Sequence, residues 1–219
     1  MKNGTKRHVF MPVLLVVAVV FSMAGCGKKF DASRYVKGCL DASTKGVFED
    51  YVAMTNSTEE QAKKEYEDRM EAEVNAMTGT IDMSEEMKEK YRTLYKDLYS
   101  KFKYEVGEAT EGDNKSFTVP VKAYRLNVFA ATMEETQKQL EDKVKELSKK
   151  KAPSTQESMQ LYVEILADVL TEKLKSPEYG EPETITINLS VNSSSKEYEM
   201  SDSDINKVFD ALSDLSSMQ

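Results

Sequence analysis

The sequence predicts an α+β fold in which several helices pack on a small antiparallel sheet of three to four strands. Two patterns lead to this prediction. Apolar residues recur with helical spacing over residues 31–102 and again over 132–174, and they alternate with polar residues over 102–129 and 185–191. A period of 3.6 indicates an amphipathic helix, and a period of two indicates a half-buried strand. Both kinds of element bury one face, so the order of elements predicts one packed α+β domain.

The first third of the chain is predicted to be helical. Residues 31–55 carry apolar side chains at helical spacing with a break at Gly46. Ser57 and Glu60 form a capping box that predicts the start of the next helix, and Gly79 closes that helix. The third helix, which starts near residue 84, presents the apolar face Met87, Tyr91, Leu94, Tyr95, Leu98 and Phe102.

A change of period then predicts two strands. Phe102, Tyr104 and Val106 alternate with polar residues, which is typical of a strand. Residues 111–114 read Glu-Gly-Asp-Asn and predict a turn. Residues 117–129 are rich in β-forming residues, so we expect a second strand that pairs with the first as a long antiparallel hairpin.

Helices return in the second half of the chain. Capping boxes at Thr132 with Glu135 and at Ser154 with Glu157 predict two helix starts. A third strand is predicted where apolar residues alternate over 185–191, followed by a turn and a short extended piece. The last helix is predicted from the apolar residues Ile205, Val208, Phe209, Leu212 and Leu215.

The first 25 residues have the pattern of a secretory signal. Residues 1–8 carry three basic residues and no acid, and an apolar run follows from Val9 to Phe21. This run is too short for a membrane-spanning helix, which needs about 20 residues, and suits a signal-peptide core of about 7–15. It ends in small residues, as a cleavage site does.

The residues that end this segment carry a more specific resemblance. Met23-Ala24-Gly25-Cys26 resembles the lipobox of bacterial lipoproteins, although the family more often has Leu where Met23 stands. The resemblance implies cleavage between Gly25 and Cys26, a diacylglyceryl lipid on Cys26, and anchoring to the outer face of the cell membrane. Residues 26–30 would then be a short tether and residues 31–219 the domain. An ordinary secreted protein with an incidental Cys26, or an uncleaved anchor helix, is the alternative.

Composition excludes several classes of function. His8 is the only histidine and lies in the predicted signal segment, so the mature chain has no Ser-His-Asp triad and no histidine metal site. Removing residues 1–25 takes away three of the 30 basic residues and none of the 38 acidic ones, so the net charge falls from −8 to −11. So acidic a chain is a poor partner for nucleic acid. Cys39 is expected to be a small buried hydrophobe.

No motif announces catalysis. Phosphate-binding, dinucleotide-binding and hydrolase motifs are missing, and we expect no cofactor and no metal. The abundant acids are interpreted as a solvated helix face, carried by Glu59, Glu60, Glu65, Glu67, Asp68, Glu71 and Glu73.

An irregularity in the second strand supplies the first candidate ligand-binding residues. Apolar residues lie on one face of this strand up to Ala123, and then the pattern changes face, so that Arg125 and Asn127 fall on the formerly apolar side. A β-bulge near Ala123 is the simpler explanation. The alternative keeps the register and places Arg125 and Asn127 inside an apolar pocket, where they could bind a carboxylate or an amide.

Three tyrosines supply the second candidate. Tyr91, Tyr95 and Tyr99 are spaced by four and share one side of a helix. Such a stripe is usually core with hydroxyl groups at its rim. It could also line a binding groove, because tyrosine contributes a large contact area at low entropy cost.

A wider resemblance extends over most of the mature chain. It is carried by three stretches, Arg34-Tyr35-Val36-Lys37-Gly38, Lys45-Gly46-Val47-Phe48-Glu49-Asp50-Tyr51 and Ser57-Thr58-Glu59-Glu60. These are similar to uncharacterised lipoproteins of clostridia-like Gram-positive bacteria, and the order of elements resembles NTF2-like or cystatin-like domains. The resemblance implies a fold and no substrate. We therefore expect a non-enzymatic module that contacts an envelope protein, with a small-ligand-binding lipoprotein, a carboxylate-based hydrolase or a purely structural protein as alternatives.

Overall fold

The computed structural model describes residues 19–20, 30–78, 81–193 and 197–213, and its elements are an antiparallel sheet and seven helices within these ranges. The helices are α1 (Ala32–Lys45), α2 (Glu49–Met54), α3 (Glu59–Thr78), α4 (Glu85–Ser100), α5 (Phe129–Ser148), α6 (Thr155–Lys173) and α7 (Asp202–Leu212). The strands are β1 (Val19–Val20), β2 (Lys103–Val106), β3 (Thr110–Glu111), β4 (Phe117–Leu126), β5 (Tyr179–Val191) and β6 (Glu197–Met200).

The sheet confirms the predicted fold class. Its strands lie in the order β1-β6-β5-β4-β2, every pair is antiparallel, and the short β3 also pairs with β4. Four strands form its body, because β1 and β3 have only two residues each. β1 lies inside the segment that the sequence predicts to be removed as a signal peptide.

One face of the sheet forms the core. In β4 and β5 the apolar side chains alternate with exposed polar ones, and Val119 pairs with Ile187 while Val121 pairs with Ile185. Helix α7 packs on this face, and Asp204 ties it to β5 by accepting hydrogen bonds from the backbone N–H and the side-chain amide of Asn188. Helix α1 covers β2 and β4.

The end of β4 corrects the predicted strand. The register with β5 shifts between Tyr124 and Leu126, and the strand stops at Leu126 instead of continuing to Phe129. Helix α5 begins at Phe129, so the capping box expected at Thr132 is wrong: Thr132 lies inside the helix and donates a hydrogen bond to the carbonyl of Val128. The β-rich composition of this stretch predicts a longer strand, but the bulge redirects the chain first.

Other helix starts agree with the sequence more closely. Ser154 and Glu157 form the predicted capping box of α6, and Gly46 ends α1 with a left-handed φ of 62°. The box predicted at Ser57 is displaced by one residue, because Thr58 accepts a hydrogen bond from the backbone of Gln61 while the Gln61 side chain accepts one from Thr58. Its function is the same, since it supplies partners for N–H groups that a helix start leaves unpaired.

Helices α3, α4, α5 and α6 form a second layer that we call the helical extension. Helices α3 and α4 pack on each other and on α1, α6 packs on α4, and α5 packs on α6. None of the four makes extensive contact with the described strands. Ion pairs between α3 and α4 join Glu67 to Lys96 at 2.6 Å and Glu71 to Arg92. Helices α5 and α6 form an antiparallel helical hairpin, which is inserted between β4 and β5.

Contacts between α4 and α6 define the direction of the extension. The hydroxyl of Tyr179 donates to the carbonyl of Lys101, and the ammonium of Lys90 binds the carboxylate of Asp168. The first contact joins the start of β5 to the residue that follows α4, and the second joins α4 to α6, so α4 and α6 lie parallel and both end near the start of β5. The loop between α5 and α6 therefore lies at the far end of the extension.

Candidate functional site

The predicted lipidation and cleavage residues, Cys26 and Gly25, lie outside the described residues. The chain resumes at Phe30, whose ring stacks on Tyr198 with centroids 4.0 Å apart and an angle of 5° between the planes. Phe117, the first residue of β4, closes this aromatic cluster at 5.7 Å from Phe30. The ordered core thus begins four residues after Cys26.

The structure places Arg125 and Asn127 on the outside of the sheet. Both side chains are exposed, and they flank the register shift at the end of β4. They lie against Gly180 of β5, where a side chain would come within 3.3 Å of the Asn127 amide. The β-bulge explanation is therefore correct, and the expectation of an inward-facing polar pair is wrong, because the bulge turns the strand before these residues.

The tyrosine stripe belongs to the core of the extension. Tyr91, Tyr95 and Tyr99 are all buried. The hydroxyl of Tyr91 donates to the carbonyl of Val163 at 2.7 Å and fastens α4 to α6, and the hydroxyl of Tyr99 donates to the carboxylate of Glu73 at 3.0 Å. Burial raises the pKa of each phenol above its ordinary value. The rings therefore stay neutral and serve packing.

The five predicted ligand-binding residues do not form a common site. Arg125 and Asn127 are exposed at the sheet end, whereas the three tyrosines are enclosed between helices. The ligand-binding role assigned to them stays a prediction.

A buried polar cluster was missed by the sequence analysis. Arg69 is 6% exposed, donates to the carbonyl of Ser43 in α1, and lies 4.9 Å from the centroid of the Tyr99 ring. Glu73 is 7% exposed, which corrects its assignment to a solvated face. Burial raises the pKa of Glu73, and the Tyr99 hydroxyl and Arg69 oppose that rise. The only sequence signal was the spacing of four between Arg69 and Glu73 beside Met70 and Val74.

Two further buried carboxylates have structural partners. Asp41 in α1 accepts hydrogen bonds from Lys37 at 2.5 Å, Lys45 at 2.9 Å and the hydroxyl of Tyr104 at 2.6 Å. Burial raises its pKa, but these hydrogen bonds outweigh burial and lower it overall. The pKa of Asp204 is also lowered overall, because hydrogen bonds from Lys207 and Asn188 outweigh the effect of burial, which raises it.

Cys39 is a free and buried cysteine, as expected from the apolar face on which it lies. Burial raises the pKa of its thiol to about 12, although a hydrogen bond with Tyr35 opposes the rise. A thiol in this state carries almost no thiolate at neutral pH and is a poor nucleophile.

The loop between α5 and α6 and the adjoining ends of these helices form an open depression. We call residues 147–161 the hairpin tip. The lining of the depression includes the apolar residues Leu147, Pro153 and Leu161. Two basic residues, Lys150 and Lys151, and two acidic residues, Glu157 and Glu164, also line it. Two of the three exposed large hydrophobic side chains of the described residues lie here, Leu147 at 40% and Met159 at 38% exposure. The sequence signal for this surface was the run of three lysines before Pro153.

Membrane-spanning helices and clusters of metal ligands are both absent from the described residues. No described helix has the length and apolar character needed to span a membrane. Histidine, cysteine and acidic side chains do not cluster as metal ligands in the part of the chain that the structure covers.

Comparisons with known proteins support the fold. No protein-family model and no curated protein matches the chain. Among solved structures, the chain is similar to a candidate lipoprotein (ycdA) from Bacillus subtilis, with a TM-score of 0.56 and 14% sequence identity. The similarity covers 84% of this chain but only 56% of the other, so the chain spans little more than half of that protein. This neighbour supports the predicted fold class, while the finer NTF2-like or cystatin-like assignment stays a prediction.

Proposed function

We propose that this protein is a lipoprotein held on the outer face of the cell membrane by a lipid on Cys26, and that its domain is a non-enzymatic interaction module. The position of Phe30 carries the proposal. Phe30 is already part of the aromatic core with Tyr198 and Phe117, so only three residues separate it from Cys26. A stretch this short reaches at most about 14 Å, which holds the domain at the membrane.

The lipid anchor follows from the lipobox resemblance and is supported by the class of the structural neighbour. Two acyl chains provide stable anchoring, since each buried CH₂ contributes about 0.8 kcal/mol and a single chain binds only marginally. Processing before Cys26 removes β1, and β6 then becomes the edge of the sheet.

The arrangement of the buried acids supports a non-enzymatic role. Asp41, Glu73 and Asp204 lie on three different helices, and each binds a partner that holds elements together. A carboxylate-based hydrolase needs two carboxyl groups on either side of one cleft. A small ligand needs an enclosed pocket that buries most of its surface, whereas the depression at the hairpin tip is open.

Metabolic labelling with radioactive palmitate tests the anchor. The full-length chain is expected to incorporate label and to partition with membranes, because Cys26 receives the acyl chains. The variant C26S is expected to lose both properties. The matched control is C39S, which removes the other cysteine, a buried one, and is expected to keep the label. Equal labelling of C26S and the unaltered chain would reject the lipoprotein proposal.

In-cell chemical cross-linking followed by mass spectrometry tests the interaction role. A recurrent envelope protein captured by the anchored chain and lost in Cys26→Ala is the expected result. Absence of any recurrent protein partner would contradict an interaction module and redirect attention to a soluble ligand.

A further inference from the structure

The charge of the hairpin tip differs in sign from that of the rest of the chain. Residues 147–161 contain three lysines and one glutamate, a net charge of +2, whereas the chain without residues 1–25 carries −11. Lys149 and Lys150 form no ion pair with any described residue. Lys151 helps to lower the pKa of Glu157, which is held mainly by its backbone and side-chain hydrogen bonds with Ser154.

The fold does not use this surface internally. Leu147 and Met159 remain exposed, and α5 packs mainly on α6. Exposed apolar side chains lower solubility and contribute nothing to the core. Exposed apolar patches with polar residues around them mark interaction sites in soluble proteins. The capping box formed by Ser154 and Glu157 fixes the residue at which α6 begins, so the loop before it has a defined conformation.

The geometry also directs the tip away from the anchor, if the chain is anchored as proposed above. Phe30 lies beside Phe117 at the first residue of β4, and the hairpin leaves from the opposite end, where Leu126 pairs with Tyr179. Ten residues of strand separate these ends by about 30 Å. The 19 residues of α6 give it a length of about 28 Å, and the hairpin tip lies at the end of α6 that is farther from β5.

We propose that the hairpin tip is the docking surface of this module, and that it binds an acidic segment with apolar side chains that belongs to another envelope protein. The lysines of the tip attract carboxylates and increase the rate of encounter. The apolar lining residues Leu147, Pro153 and Leu161 take up aliphatic or aromatic side chains. This inference rests on the proposed function and names its surface and the chemistry of its partner.

Other occupants fit the same surface less well. A symmetric contact between two copies would bring two basic tips together, because a two-fold interface places the same patch on both sides. The proposed anchor precedes Phe30, which lies at the other end of β4 from the point where the hairpin leaves the sheet. A polyanion without apolar groups would use the lysines and leave Leu147 and Met159 exposed.

Site-specific photo-cross-linking in the native bacterium tests the proposal. A photoreactive residue replaces Leu147 in the full-length anchored chain. The matched control position is Val47, the other exposed large hydrophobic residue of the described chain, which lies between α1 and α2 with 51% exposure. The expected result is an adduct from position 147 whose cross-linked peptide carries net negative charge, and no such adduct from position 47.

A charge-reversal variant makes the test specific. K149E/K150E/K151E is expected to reduce the adduct at least tenfold. The matched control K63E/K103E/K122E changes the net charge equally at three exposed lysines outside the tip and is expected to retain it. Circular dichroism melting of each variant verifies that folding is kept. The synthetic cross-linked peptide, titrated against the purified soluble domain, is expected to bind at least tenfold more weakly to the tip variant.

The outcomes separate this inference from the proposed function. If an envelope protein is cross-linked from position 47 or from other faces but not from position 147, the hairpin tip is not the docking surface. The proposed interaction role is then retained. An adduct that persists in the tip variant, a second copy of this chain, or binding of polyphosphate in place of the peptide also overturns the proposal. No protein adduct from any position contradicts the interaction module itself.

Discussion

The sheet with α1 and α7 differs from the helical extension in how its apolar residues are used. In the sheet, Val119, Val121 and Ile187 are no more than 1% exposed. In the outer part of the extension, Val144 is half-buried and Leu147 is 40% exposed. The inner part of the extension shares the core with the sheet, through buried residues such as Met70, Val74 and Leu174, whereas the tip contributes contacts that folding does not need. Regions with few buried apolar contacts open most easily and are commonly used for binding.

The joint between the two regions depends on a few buried polar groups. Arg69 donates to Ser43 and stacks on Tyr99, which in turn donates to Glu73. Polar groups enclosed in this way stabilise a structure only when each has a partner. The comparison can be tested by substitutions in the sheet, at the joint and at the tip, and the predictions below run from the largest expected effect to the smallest.

The largest contrast is expected between two apolar truncations. Ile187→Ala removes a side chain that is 1% exposed at the centre of the sheet and should lower the free energy of unfolding by about 3 kcal/mol. Leu147→Ala at the tip should change it by less than about 0.5 kcal/mol. Urea denaturation of the soluble domain measures both values. Equal losses would show that the tip is part of the core and remove the contrast between the regions.

Arg69→Ala should have the next largest effect. The substitution leaves the buried Glu73 without a nearby cation and opens a cavity beside Tyr99, so we expect a loss of about 2 kcal/mol. Tyr99→Phe, which removes only the hydrogen bond to Glu73, should cost about 1 kcal/mol. A double-mutant cycle measures the coupling between the two sites. Additive losses would indicate that Arg69 and Tyr99 act independently.

Acid pH should affect the two regions in opposite directions. The folded-state pKa of Asp204 in the sheet region is lowered, so its stabilisation is present above the ordinary pKa of about 4 and is lost as the pH falls below it. The folded-state pKa of Glu73 is raised, so protonation of Glu73 favours the folded state as the pH falls. At pH 7, Asp204→Asn should cost about 1.5 kcal/mol, whereas Glu73→Gln should cost little or stabilise.

Melting curves of the two variants between pH 7 and pH 3 test whether Asp204 and Glu73 change the stability with pH in the predicted directions. The deficit of Asp204→Asn relative to the unaltered chain should shrink toward pH 3, and any advantage of Glu73→Gln should shrink as well. A deficit of Glu73→Gln that is large at pH 7 would mean that the carboxylate is better satisfied in the fold than its burial indicates.

The most local effect is expected at the start of α6. Ser154→Ala removes the hydrogen bond to the backbone of Glu157 and should cost about 1 kcal/mol. Hydrogen exchange should show this loss as increased opening confined to the first turns of α6. Thr58→Ala removes a comparable cap at the start of α3 and is the matched control. Opening that spreads into β5 would mean that the extension and the sheet unfold together.

Local patterns in the sequence predicted most of the elements correctly. The alternation in β2, β4 and β5, the break at Gly46 and the capping box of α6 all lie where residue type and spacing indicated. The errors fall where tertiary contacts decide. The chain leaves the sheet at Leu126 because the bulge ends pairing with β5, and α5 begins at Phe129, before the predicted cap.

The candidate site was predictable only in part. The lysine run before Pro153 marked the hairpin tip in the sequence, but whether Leu147 would be covered depends on which helices pack on α5. Arg125 and the tyrosines were proposed from the faces they occupy. The face was correct for the helix. For the strand, the β-bulge explanation was correct and the alternative that kept the register was wrong, since a one-residue bulge reverses every side chain that follows it.

By itself, the sequence determined the α+β composition of this protein, its lipobox resemblance and its acidic mature charge, because residue type, period and net charge are local or additive properties. Only the tertiary structure decided that Glu73 is buried, that Arg125 and Asn127 face outward, and that the α5–α6 hairpin leaves the sheet at the end of β4 opposite Phe30. Burial and direction depend on which elements pack together across long stretches of chain, and no local pattern encodes that choice.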